Sequence, residues 1–488
     1  MNALGDLKPR PLWNYFAQLC KVPRISQQEE AVRQLLVDFA AALGLGYQID
    51  SAGNLIVRKP ATAGYEGRCG VILQSHLDMV PQKNSGINHD FDVDPIRPLI
   101  DNGWVRADGT TLGADNGIGV AAMMAVLAAD DLHHGPIEAL FTVDEERGMS
   151  GAEGLEAGVL QGDILFNLDS EDEGELFVGC AGCVDIVATA SYSPESQVEH
   201  GKSYEIFVSG LKGGHSGCDI HLGRGNANKI MNRLLKRATE ELGLAISTIT
   251  GGSLRNAIPR ESIARVVVPV AHAERLRQMV DEVARVVAAE LEMVDSGVKI
   301  EISDTAPVEE VMPSAVQAHW LAALACCPHG VQRMSDTLSG VVETSNNLAT
   351  LNIGGGVIEV GCMARSAVDS AIDELADAVC SCFSLVNADT RLEAPSPGWR
   401  PNMQSPILEV LSTTYKRLFG EKPAIKVIHA GLECGLLGGT YPHWDMISFG
   451  PTIRFPHSPD ERVDIKTVGR FWQLLTSALA DTPESKRD

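Results

Sequence analysis

Two short runs carry residue types that bind cations. In VILQSHLDMV, His76 and Asp78 stand two apart, so on a strand both side chains project from one face. In EALFTVDEERGMSG, an apolar strand-like run meets three consecutive carboxylates, Asp144, Glu145 and Glu146. Asp115 sits in the glycine-flanked TTLGADNGIGV, Asp169 follows the apolar part of ILFNLDSEDEGE, and His457 lies in the Pro-rich GPTIRFPHSPDE. Singly, each has an ordinary structural role: Asp115 could cap the following helix, Glu145 and Glu146 could favour a helix N-terminus, Asp169 could belong to a turn and His457 to a surface loop. Jointly the pattern is different. Carboxylates gathered at the ends of buried strands repel one another and lose hydration, which is costly unless cations offset the charge. Two imidazoles and three carboxylates are suitable donors for two zinc-like ions, with one carboxylate bridging.

The elements that must position these residues are legible around them. ISQQEEAVRQLLVDFAAALG opens with a capping box, Ser26 and Glu29, continues with Val32, Leu35, Leu36 and Phe39 at helical spacing, and stops at Gly44. GNLIVRKP, CGVILQSHLDMV, EALFTVD and DILFNLD read as strands, and DNGIGVAAMMAVLAAD as an Ala-rich helix. Strands alternating with helices over the first ~180 residues predict an α/β domain with a doubly wound, largely parallel sheet. Ligands in such sheets bind at the carboxyl ends of strands, where these side chains can converge. From about residue 185 the texture changes. YEIFVSGLKGG and ESIARVVVPV flank the helical NANKIMNRLLKRATEELG, and HAERLRQMVDEVARVVAAELEMV is a longer amphipathic helix, so this block reads as a separate α+β unit. The loop-rich NADTRLEAPSPGWRPN, 387–402, marks a second boundary. The expected segments are therefore 1–184, 185–386 and 387–488.

Among 488 residues, 40 are basic and 64 acidic, a formal charge of −24, which argues against nucleic acid or an anionic membrane as partner. The N-terminus lacks the order of a signal peptide, and no apolar run approaches the ~20 residues of a membrane span. A cytoplasmic protein is expected. The eleven cysteines do not form a dense disulfide framework. Cys180 and Cys183 form a single CxxC among glycines, read as structural thiols rather than a metal site.

HLDMVPQK, TTLGADNGIG, DSEDEGE, GLKGGHSG, LRNAIPRE, VVETSNNL, HAGLECG and GPTIRFPHSPDE, in this order and nearly end to end, resemble the aminoacylase/carboxypeptidase family of co-catalytic zinc hydrolases, and within it the dipeptidases. The resemblance implies hydrolysis of unblocked dipeptides, Xaa-His among them, with relatives that deacylate N-acyl amino acids as the alternative and a non-catalytic metal-binding relative as a further one. It implies two divalent ions, zinc first, with manganese or cobalt as alternatives. His76 and Asp169 would hold one ion, Glu146 and His457 the other, with Asp115 bridging. Asp78 would orient His76, and Glu145 would be the general base. The 185–386 block would be an inserted smaller lid that mediates a homodimer, the metal-bearing domain comprising both ends of the chain. His215, which spacing alone reads as a loop histidine, would supply an oxyanion donor from the lid. A free dipeptide needs partners for its carboxylate and its amine. Asn256 and Arg365 are candidates for the first, although either could be an ordinary lid residue. Glu433 could face the amine or merely support the site. Cys183 stands where glycine is expected, a departure that could alter the hinge into the lid.

Overall fold

The structure is a computed structural model that describes residues 4–196 and 200–485. The chain divides into two compact units: residues 1–179, 399–427 and 432–488 form one, and residues 180–398 with 428–431 form the other.

The first unit is built on a mixed eight-stranded sheet. Its strands run in the order Gly46–Ile49, Leu55–Lys59, Ile137–Thr142, Val71–His76, Ile164–Asn167, Asp445–Ser448, Glu175–Cys180 and Ala424–Ile428. The four from Ile137–Thr142 to Asp445–Ser448 are parallel to one another. Val71–His76 and Ile137–Thr142 are buried at every position, as expected where helices cover both faces. The Ala-rich helix Ala114–Ala128 has a buried residue at nearly every position and packs on Val71–His76. The expected α/β class with a mixed, doubly wound sheet is thus the architecture. A smaller sheet joins Ile453–Arg454, Arg462–Asp464, Trp104–Ala107 and Pro98–Asp101. Ile453 pairs with Val463 and Arg454 with Arg462, so residues 455–461, His457 included, form a hairpin loop.

The second unit has a nine-stranded sheet in which every recorded pairing is antiparallel. The helices Ala227–Leu242, Ala273–Glu290, Ser314–Cys326 and Asp369–Ser384 contribute to its core. The stretch expected to be loop, 387–402, contains an edge strand instead. Asp389–Ser396 pairs with Gly182–Ser191, Asp389 opposite Thr189 and Glu393 opposite Asp185. Pro395 and the alternating charges disguise it, and both are features tolerated at sheet edges. The break between units accordingly lies at 398/399, and at 179/180 rather than inside the strand Gly182–Ser191.

A second expectation needs correcting. The helix at Glu30–Ala42 has no side-chain cap, because Ser26 Oγ donates to Asp78 Oδ2 at 2.8 Å and Glu29 Oε1 accepts from the Asp144 N–H at 2.9 Å. The local capping pattern loses to two long-range contacts with site loops. Gly44 does end this helix, with φ of +68°. No disulfide joins Cys180 to Cys183. Among the described residues no helix is long and apolar enough to cross a membrane.

One stability prediction arises in the second unit. His329 Nδ1 accepts from the Leu348 N–H and from Asn226 Nδ2, both at 3.3 Å, so the ring is held neutral with its proton on Nε2. Burial, and then Lys229, push its pKa down from 6.5 to about 4. A depressed folded-state pKa means that the unfolded chain binds the extra proton first. The contribution is complete above about pH 6.5 and is lost as pH falls through 4, on the order of 2–3 kcal/mol. Denaturant melts of wild type and His329→Asn, which keeps an acceptor but does not titrate, should diverge between pH 7 and pH 4. Parallel pH slopes would contradict this.

Candidate metal centre

Seven of the expected residues gather in the first unit, at strand ends, at the start of the helix Ala114–Ala128 and in the hairpin loop 455–461. His76 closes its strand, and Asp78 lies just beyond the strand end. The His76 ring is held at Nδ1 by Asp78, 3.3 Å to Oδ1 and 3.2 Å to the backbone oxygen. Nε2 faces Asp115 Oδ1 at 3.1 Å, Asp169 Oδ1 at 3.3 Å and Glu145 Oε2 at 4.0 Å. On the other side, His457 Nε2 faces Asp115 Oδ2 at 3.2 Å and Glu146 Oε2 at 2.9 Å. Asp115 therefore turns one oxygen toward each imidazole. Donor atoms of His76, Asp115 and Glu146 lie within 4.8 Å of one another.

Asp78 also fixes the acidic pair. Its Oδ1 accepts from the Glu145 N–H and its Oδ2 from the Glu146 N–H, both at 3.1 Å. Glu146 is engaged by His457, whereas the Glu145 carboxylate has no hydrogen-bond partner among the described residues. The two neighbours thus differ in the way that a ligand and a proton carrier would. Asn116, missed in the sequence, donates to Asp169 and to the Leu168 oxygen.

The electrostatics are those of crowded acids. Burial, opposed by His76, pushes Asp169 up to about 6. Burial raises Glu145 well above the carboxylate range, and Asp169, Glu433 and Glu146 add to it against His76. Burial would also raise Asp78, but its bonds to His76 and Ser26 hold it at about 2. Burial alone would lower the His76 imidazole, yet Asp169, Asp115 and Asp78 raise it well above its ordinary value. Hydrogen bonds that His457 donates to Asp115 and Glu146 lift its pKa to about 11. Glu146 Oε1 is buried without a partner among the described residues. Oxygen and imidazole donors, excess negative charge and an unpartnered buried oxygen fit divalent cations.

Glu433 is fully buried at the start of the helix Glu433–Thr440. Its Oε2 accepts from Gln74 Nε2 at 2.5 Å and Thr142 Oγ1 at 2.9 Å. Gln74 in turn accepts from Asn167, and Asn167 from Ser448, both at 2.5 Å. This buried chain spans four strands of the sheet, and nothing in the sequence marks it.

The second unit gathers the remaining candidates around Ser216. The Ser216 N–H donates to the Asn256 oxygen at 2.8 Å, and Arg365 Nε donates to Ser216 Oγ at 3.3 Å. Arg365 is 5% exposed and has no carboxylate partner among the described residues. His215 Nδ1 accepts from the Gly217 and Cys218 N–H groups at 3.1 and 3.0 Å, which places its proton on Nε2 as an available donor. Burial, and then Arg365, lower its pKa to about 4, so it is neutral. His429, not anticipated from the sequence, joins this group. Its Nε2 meets Ser345 Oγ at 2.7 Å, and its Nδ1 is buried without a partner among the described residues.

Residues 72–481 match peptidase family M20/M25/M40. The chain is 44% identical over 483 residues to the cytosol non-specific dipeptidase of Escherichia coli strain K12, covering 99% of this chain and 100% of that protein. It is similar to the crystal structure of aminoacylhistidine dipeptidase from Vibrio alginolyticus, at 46% identity and a TM-score of 0.93, over 99% of this chain and 98% of that one. A tripeptidase from Staphylococcus aureus shares the fold at 17% identity and a TM-score of 0.56, over 97% and 98% of the two chains.

Proposed function

Because this chain belongs to peptidase family M20/M25/M40, and is thus a hydrolase of peptide bonds, we propose that it is a dinuclear dipeptidase that cleaves Xaa-His and other unblocked dipeptides. The observation that carries the proposal is Asp115, with one oxygen toward His76, which also faces Asp169, and the other toward His457, which also faces Glu146. Full-length similarity to two dipeptidases supports the substrate class. His76 and Asp169 would hold one ion, Glu146 and His457 the other, and Asp115 both. Zinc suits these donors, with manganese and cobalt as alternatives. Bound there, the ions supply an acidified water and polarise the scissile carbonyl.

The chain's own residues do the rest. Asp78 keeps the His76 ring in one orientation, with Nε2 turned inward. Glu145 takes a proton from the attacking water and passes it to the departing amine, acting as base and then acid. His215 offers its Nε2–H to the oxygen on which charge develops. Arg365 and Asn256 receive the substrate carboxylate, and Glu433 either faces the amino group or supports the site through Gln74 and Thr142. The protein works in the cytosol, as the name of its Escherichia coli relative indicates for that protein. It forms a homodimer through the second unit, where Leu385 and Leu392 are exposed.

The test is a substrate panel. Gly-His, β-Ala-His and Ala-Ala should be hydrolysed, with N-acetyl amino acids turned over at least about tenfold more slowly, the scale on which an unpaired polar recognition group discriminates. Preference for the acylated amino acids would replace the dipeptidase reading with an amidohydrolase.

A further inference from the structure

Glu461 lies in the same hairpin loop as His457, four residues on, and is 2% exposed. Its carboxylate accepts four backbone N–H groups in succession. Oε2 takes those of Leu112 and Gly113 at 2.7 and 2.9 Å, and Oε1 those of Ala114 and Asp115 at 2.7 and 3.2 Å. The helix that begins here, Ala114–Ala128, has at its N-cap position Gly113, which has no side chain to cap it. A distant loop therefore supplies the acceptor, and the last donor it takes belongs to Asp115 itself.

Arg24, 3% exposed, completes the grip. Its Nη1 donates to the Leu77 and Asp78 oxygens at 2.8 and 3.0 Å, and its Nη2 donates to the Gly113 oxygen. Gly113 has φ of +68°, and a side chain there would run into Arg24 and Met79. Glycine is thus required both by the turn and by the guanidinium. Arg24 ties the loop after His76 to the loop before Asp115, and Glu461 ties the latter to the loop of His457. Three segments that carry site residues are locked together by two buried side chains that are not themselves candidate ligands.

We propose that Glu461, backed by Arg24, is a positioning residue that sets the affinity for the ion held by His457, Glu146 and Asp115. The inference rests on the two-ion reading of the site. A cap serving only the helix would affect folding and leave ion binding alone. Because Asp115 would hold both ions and His457 only one, a clamp on Asp115 and the His457 loop acts more strongly on the ion of Glu146 and His457 than on the ion of His76 and Asp169.

The experiment is a zinc titration of metal-stripped protein against a chromophoric chelator, with circular dichroism of each stripped variant. Wild type should take up two ions. Glu461→Gln keeps the shape but cannot accept on both atoms, so it should bind the first ion within about threefold of wild type and the second about 10–100-fold more weakly, the usual cost of losing an orienting partner. Equal weakening of both steps, or of neither, would overturn the inference. Wild type that binds a single ion would overturn it together with the two-ion reading, which keeps the two failures distinct. Should the Gln variant fail to fold, Glu461→Asp, which retains the charge but reaches fewer N–H groups, is judged by the same two steps.

Discussion

Glu145→Gln should lower kcat for dipeptide hydrolysis by about 10²–10⁴-fold, the range for removing a general base, while both ions remain bound. The distinction between neighbouring acids is geometric. Glu146 Oε2 is 2.9 Å from His457 Nε2, whereas the Glu145 carboxylate has no hydrogen-bond partner among the described residues and lies 4.0 Å from His76 Nε2. Its backbone is held independently, by the Glu145 N–H donating to Asp78 Oδ1 at 3.1 Å, so a Gln side chain leaves the loop in place. Glutamine has the same size and cannot accept the proton. Rates measured with metal content determined on the same sample separate loss of the base from loss of ions. Residual activity within about tenfold of wild type, with both ions present, would assign the proton transfer to another group.

Much of this arrangement is legible in the sequence because the parallel strands are short, apolar and end in the acids they position. Val71–His76, Ile137–Thr142 and Ile164–Asn167 are read directly from their composition, and the α/β class follows. What stays hidden depends on contacts made across hundreds of residues. Glu461 looks like one more acid in a Pro-rich loop, because its partners are backbone N–H groups 346–349 positions away, and main-chain donors leave no trace in residue type. Ser26 and Glu29 satisfy the local rule for a helix cap and are used elsewhere, on Asp78 and Asp144. The strand Asp389–Ser396 reads as loop because its identity comes from its neighbour Gly182–Ser191 and not from its own alternation. The approach of His457 to Asp115 depends on the hairpin 453–464 docking against Trp104–Ala107, a pairing no local pattern announces.

Removal of the ions should have the other large effect. Asp78, Asp115, Glu145, Glu146, Asp169 and Glu433 are crowded around two imidazoles, and their mutual repulsion is what bound cations relieve. Cations that bind only the folded chain stabilise it, by about 2.7 kcal/mol at a hundredfold excess over Kd, so the stripped protein should melt at a lower temperature. Loss of rate should be larger still. Polarising a carbonyl and acidifying water are each worth several kcal/mol, and stripping should therefore reduce turnover by about 10³-fold or more. The decisive measurement is Gly-His hydrolysis as zinc is titrated into stripped protein, with bound metal counted at each point. The account predicts negligible turnover without metal and full activity only as the second ion per chain is bound. Wild-type rates in the stripped protein, or full activity at one ion per chain, would contradict it.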